Sequence, residues 1–132
     1  MEIIAQFLHD NKTFYLATIE GNQPRVRPFG AVCIFDDKLY FGTSNKKSVS
    51  KQVKENPNIE ISTTAADGGK WLRLTAQAIK HDCREARQAM LDATPSIQGL
   101  YNADDEVFEV FYLQNAVGNI CSRNGQVETH RF

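Results

Sequence analysis

The run Phe41-Gly42-Thr43-Ser44-Asn45-Lys46-Lys47-Ser48-Val49-Ser50-Lys51-Gln52 concentrates hydroxyls and ammonium groups where a strand gives way to a helix. A helix start leaves backbone N–H groups without intrahelical partners and carries the positive end of the helix dipole. The hydroxyls of Thr43, Ser44 and Ser48 and the ammonium groups of Lys46, Lys47 and Lys51 would then form a cradle for a phosphate. A plainer reading stands beside it: Ser44 or Asn45 caps the helix, and the lysines form a solvated face. The spacing is not that of a Walker loop, which needs G-x-x-x-x-G-K-[ST].

A second group of chemistry-bearing residues lies upstream. In Gln23 to Phe29, Arg25, Arg27 and Phe29 alternate with Val26 and Pro28, so the two arginines share one face of a strand. Arginines on a covered face need water or an anion such as a phosphate. Pro28 donates no hydrogen bond, which puts this segment at a sheet edge or beside a bulge. A third group is the outward face of Lys70 to Lys80, where Trp71, Arg73, Thr75, Gln77 and Ile79 alternate with Leu72, Leu74, Ala76 and Ala78. That face suits a second subunit, a ligand or plain solvent.

The elements that position these groups follow from period and turn chemistry. Met1 to Asn11 carries Ile3, Ile4, Phe7 and Leu8 on one helical face. Strands are predicted over Thr13 to Ile19, Gln23 to Phe29, Ala31 to Phe35 and Lys38 to Gly42, with turns at Gly21-Asn22 and Asp36-Asp37. A helix over Ser48 to Asn56 buries Val49 and Val53 and stops at Asn56-Pro57. Strands follow at Asn58 to Thr64 and Lys70 to Lys80, and a helix at Cys83 to Ala93. Ile97 to Asp105 reads as an irregular connection. Val107 to Leu113 and Ala116 to Ser122 read as two strands, and Asn124-Gly125 turns into a last strand over Gln126 to Phe132. The sum is a mainly β chain with flanking helices, a six-stranded antiparallel sheet that closes into a barrel, in one domain over residues 1–132.

Composition narrows the function classes. With 132 residues, 42% hydrophobic and 23% charged, the chain is long enough for a real core. A net charge of -1 supplies no global field for nucleic acid or an anionic membrane, so neither is an expected partner. Cys33, Cys83 and Cys121 are widely spaced and odd in number, which points to reduced structural thiols and to no metal site. The start lacks a charged-then-apolar pattern, and no apolar run approaches 18 residues. The expectation is a cytoplasmic protein.

The order Pro24-Arg25-Val26-Arg27-Pro28-Phe29, then Leu39-Tyr40-Phe41-Gly42-Thr43, then a lysine-bearing helix ending Glu55-Asn56-Pro57, resembles the pyridoxamine 5'-phosphate oxidase-like FMN-binding split barrels. The strand Trp71-Leu72-Arg73-Leu74-Thr75-Ala76-Gln77-Ala78 continues the likeness. The resemblance implies a homodimer with FMN at the subunit interface. It implies flavin contacts from Arg25, Val26, Arg27 and Pro28, and phosphate contacts from Gly42, Thr43, Ser44, Lys47, Ser48 and Lys51 with help from Arg25. It also implies contributions from the partner subunit around Trp71, Arg73 and Gln77. True pyridoxamine phosphate oxidases carry a C-terminal arginine and histidine separated by one residue. Here His130 and Arg131 are adjacent and would point to opposite strand faces. The function implied is therefore a small flavin-dependent oxidoreductase of unassigned substrate, with NAD(P)H as a candidate co-substrate. The alternative is a module that holds flavin, deazaflavin or haem without turnover.

Overall fold

The computed structural model describes all of residues 1–132. The chain runs α1 (Glu2–Asn11), β1 (Phe14–Glu20), β2 (Gln23–Phe29), β3 (Val32–Phe35), β4 (Lys38–Ser44), α2 (Ser48–Glu55), β5 (Asn58–Thr64), β6 (Lys70–Lys80), α3 (Arg84–Ala93), β7 (Phe108–Ser122) and β8 (Val127–Arg131). A short 3-10 turn, Pro95–Ile97, follows α3. Every strand pair is antiparallel, in the order β2-β1-β5-β6-β7-β4-β3 with β8 on β7. The mainly β, split-barrel expectation holds, with eight strands in the sheet rather than six.

Turn chemistry sets the hairpins. Gly21 takes φ 64 between β1 and β2, and Gly125 takes φ 89 between β7 and β8. Asp36 and Asp37 take φ 49 and 56, the left-handed pair that a type I′ turn between β3 and β4 requires. The two segments expected on either side of Gln114-Asn115 are one strand, β7, 15 residues long. Asn115 adopts φ 53, and the pairing with β6 shifts between Thr75 and Gln77. One irregular position therefore interrupts the ladder without ending it. This length lets β7 pair with β6 between Phe111 and Ser122, with β4 through Phe108–Tyr112, and with β8 through Val117–Cys121.

The sheet's two ends, β2 and β3, are joined only by Gly30-Ala31, yet they do not pair. That short link holds the two edges together while leaving them unbonded, and it is the split of the barrel. Inside lies the main core, with Phe14, Leu16, Phe41, Leu72, Leu74 and Phe111 essentially buried. Burying each such side chain stabilises the fold by roughly 1.5–3 kcal/mol. The helix α1 closes this core with Ile4, Ala5 and Leu8, while Ile3 of the expected stripe is exposed. Gly118 on β7 makes the approach of α1 possible, since a Cβ there would meet Ile4 Cδ1 at 2.6 Å. A second, smaller core lies under α3, where Ala86, Met90 and Leu91 pack with Tyr40, Phe108 and Val110. No helix is long and apolar enough to cross a membrane.

Candidate functional site

The split opens into a cavity of about 560 Å³. Its lining comes from three sources: the β2–β3 link, with Arg27, Pro28, Phe29, Gly30 and Ala31; the end of β4 and the start of α2, with Gly42, Thr43, Lys47, Ser48 and Val49; and the segment after α3, with Thr94, Ser96, Ile97 and Tyr101. Thr13 and Phe108 complete the wall.

At the start of α2, Lys47 occupies the N-cap position and no side chain caps the helix. Of the two capping candidates, Ser44 Oγ instead accepts the Lys46 N–H at 3.1 Å. Asn45 Nδ2 donates to the Glu106 carbonyl at 2.8 Å. The helix start therefore meets the cavity with no side chain bonded to its first N–H groups. Thr43 is 5% exposed, and its Oγ1 is buried with no hydrogen-bond partner. A buried hydroxyl without a partner is costly in a finished structure and marks where a ligand acceptor would be welcome.

Arg27 supplies the charge. Its Nη1 donates to the Leu16 carbonyl at 3.1 Å and its Nη2 to Gln52 Oε1 at 2.6 Å. Both acceptors are neutral, and none of the chain's ion pairs includes Arg27. Burial, with help from the nearby Arg25 cation, pushes the guanidinium below its ordinary range. A half-buried cation beside an open cavity, with no carboxylate to neutralise it, is a site for an anion.

The remaining expected residues lie elsewhere in this chain. Arg25 does not border the cavity; its Nη2 pairs with Glu20 Oε1 at 3.0 Å near the exposed turn end of the β1–β2 hairpin. Val26 is exposed on the β2 edge. Lys51 reaches Glu55 at 4.0 Å and is open to solvent. Ser44 is buried behind the turn. Trp71, Arg73 and Gln77 sit on the outward face of β6, where Arg73 pairs with Glu60 at 2.8 Å and Gln77 accepts from Asn115 at 3.1 Å. Arg27, Pro28, Gly42, Thr43, Lys47 and Ser48 are the expected residues that the fold brings together.

The wall after α3 was not among the residues expected from the sequence. Tyr101 stacks on Phe108 with ring centroids 5.1 Å apart. Gly42 is what lets Phe108 lie against β4, because a Cβ there would meet the Phe108 ring at 2.7 Å. An aromatic just before the polar run Asn102-Ala103-Asp104-Asp105 was the only available signal. A second polar group lies behind α2: Glu109, 7% exposed, accepts from Ser50, from Lys54 at 2.9 Å and from Lys80 at 3.2 Å. Burial pushes its carboxyl up, but these three donors outweigh it and hold the group below the usual carboxylate range. That cluster ties α2 to β6 and β7 and stands apart from the cavity.

Comparison with known proteins follows the same lines. Residues 1–110 match the sequence profile of the family described as pyridoxamine 5'-phosphate oxidase. A NimC/NimA family protein from Clostridium acetobutylicum is 43% identical, with a TM-score of 0.96 over 100% of this chain and 92% of that one. General Stress Protein 26 from Bacillus anthracis shares the fold at 15% identity and a TM-score of 0.76, covering 99% of this chain and 97% of its own. A pyridoxamine 5'-phosphate oxidase-related, FMN-binding protein from Nostoc punctiforme shares it at 16% identity and a TM-score of 0.65, covering 99% and 95%. No curated protein matches the chain. With the family profile spanning the strands and the helix start that build the cavity, the chain belongs to the pyridoxamine 5'-phosphate oxidase family.

Proposed function

We propose that the chain binds FMN at the split between β2 and β3 and works, as a cytoplasmic homodimer, as a small FMN-dependent oxidoreductase. The observation that carries this reading is Arg27, a half-buried cation with only neutral partners at the mouth of a cavity whose wall also carries Thr43 Oγ1, a buried hydroxyl without a partner. Together with Lys47 and the uncapped start of α2, these groups suit a phosphate. A volume of about 560 Å³ lies within the range of cofactor sites. The related FMN-binding protein of the same fold supports the choice of cofactor. The unpaired thiols of Cys33, Cys83 and Cys121 suit a reducing compartment.

In this reading Arg27, Thr43, Lys47 and Ser48 hold the phosphate, and the unpaired edge of β2 at Val26 to Pro28 lies along the ring. The outward face of β6, with Trp71, Arg73 and Gln77, is the surface that a second subunit covers, and the partner's copies of these residues complete the site. Bound flavin would supply the electron and hydride chemistry. The protein binds and orients it and screens it from water with Phe29, Ile97, Tyr101 and Phe108. Vitamin B6 phosphate oxidation is not the proposed reaction. His130 and Arg131 face Gly118 and Val117 across the β7–β8 ladder, and as strand neighbours they point to opposite faces.

Purification of the untagged chain followed by an absorption spectrum tests the proposal. The expected result is a yellow protein with a flavin band in the blue, bleached on addition of NADH or NADPH. A protein that stays colourless after incubation with FMN removes the flavin assignment. One that is yellow but is not bleached by either nucleotide leaves binding and removes the reductase activity.

A further inference from the structure

We propose that Gln52 is a positioning residue: it holds the Arg27 guanidinium at the cavity through a neutral acceptor, so that the charge is left for an anionic ligand. The inference rests on the FMN reading above and adds a residue that does not border the cavity itself.

Gln52 lies on the buried face of α2, between Val49 and Val53, and is 4% exposed. Its Oε1 accepts two short bonds, each 2.6 Å, from Thr18 Oγ1 on β1 and from Arg27 Nη2 on β2. Its Nε2 donates to Glu20 Oε2 at 3.2 Å. These partners fix which way the amide points, since Glu20 can only accept and Arg27 can only donate. Glu20 is engaged by Arg25 on its other oxygen. Both oxygens of the Glu20 carboxylate are thus occupied, one by the Gln52 amide and the other by Arg25. The guanidinium is oriented by Leu16 and Gln52 yet remains unneutralised.

The amide is the informative choice. A glutamate side chain has the same length and would reach Arg27 from the same backbone position. It would convert the neutral contact into a buried ion pair and cancel the charge that the cavity presents. A methionine would fill the space without accepting a bond, leaving Arg27 charged and held by the Leu16 carbonyl alone. Gln52 supplies aim without neutralisation.

The experiment compares FMN with riboflavin, which lacks the phosphate, by fluorescence titration of the full chain. The parent is expected to prefer FMN. In Gln52→Glu the ratio of FMN to riboflavin affinity should fall at least tenfold, equivalent to ~1.4 kcal/mol. In Gln52→Met it should fall about threefold or more. Thermal melts report folding. If Gln52→Glu, whose new carboxylate would face Glu20, does not fold, Gln52→Met decides. A ratio within twofold of the parent in the folded variants overturns the proposal. So does an equal loss of both ligands, which would mark Gln52 as structural only. If the parent itself shows no preference for FMN, the phosphate reading fails, and the role of Gln52 fails with it. A parent that prefers FMN with variants that match it rejects Gln52 alone.

Discussion

Arg25 and Arg27 stand two residues apart on β2 and share a strand face, yet their surroundings differ. Arg25 is 50% exposed and neutralised by Glu20, while Arg27 is half-buried and meets only neutral oxygens. Charge-assisted hydrogen bonds contribute roughly 1.5–3 kcal/mol each. Arg27→Ala and Lys47→Ala should therefore weaken FMN about ten- to a hundredfold, since ~1.4 kcal/mol is a factor of ten. Riboflavin should bind these variants like the parent. Lys51→Ala, whose ammonium is open to solvent, should stay within about twofold in the same titrations. The family resemblance, rather than the residues alone, implied that the start of α2 and the arginine-bearing strand belong to one site. It did not separate the two arginines, because their partners, Glu20, Leu16 and Gln52, are set by pairing and by a helix far along the chain.

Glu109 makes a different prediction at the same scale. Its folded carboxyl sits below its ordinary range, because Ser50, Lys54 and Lys80 outweigh the burial that opposes them. A depressed folded value means that the unfolded state takes up protons first. The contribution is complete above the ordinary value of 4.5 and is lost as pH falls through the lower folded value. Glu109→Gln should thus cost about 3 kcal/mol at neutral pH, the low end for a broken buried pair because both lysines reach solvent. The difference in melting temperature from the parent should shrink as pH is lowered below 4.5. A deficit that stays constant down to acid pH would mean that Glu109 acts through packing rather than charge.

At the scale of elements, two glycines set how closely the layers approach. Gly118 admits Ile4 of α1 to β7, and Gly42 admits Phe108 to β4. Gly118→Ala should destabilise the fold by about 1–3 kcal/mol, the usual cost of overpacking. Combining it with Ile4→Val, which trims the atom that a Cβ would strike, should recover part of that loss in thermal unfolding. No recovery would place the strain elsewhere. The hairpin turns at Gly21, Asp36-Asp37 and Gly125 were legible because each depends on residues adjacent in sequence. The continuity of β7 across Gln114-Asn115 was not, because its neighbours β6, β4 and β8 hold the strand through a residue whose local preference is to turn. The wall formed by Thr94, Ile97 and Tyr101 was hidden for a similar reason. An irregular connection has no period, and contacts distant in sequence give it a place: the Tyr101–Phe108 stack, the Arg84–Asp104 pair and the Arg87 bond to the Ala103 carbonyl.

At the scale of the molecule, the sheet curls until β2 and β3 meet without bonding, and the cavity lies where they part. The outer face of the sheet carries Tyr15 at 52% exposure, Ile19 at 38% and Val26 at 68%, near the Arg73–Glu60 pair. Such a face, apolar with a charged pair, suits a second copy of the chain. Light scattering at micromolar concentration should report twice the 14.9 kDa chain mass. A mass of one chain would leave the site to a single subunit. Neither the assembly nor the substrate could be read from local patterns, since both depend on what meets the surface.

The most direct test of phosphate-anchored flavin binding at the split is a pair of calorimetric titrations of the unmodified protein, one with FMN and one with riboflavin. The expected result is one FMN bound per chain, at least tenfold tighter than riboflavin, a difference of ~1.4 kcal/mol or more. Equal affinities, or no heat with either ligand, would contradict it.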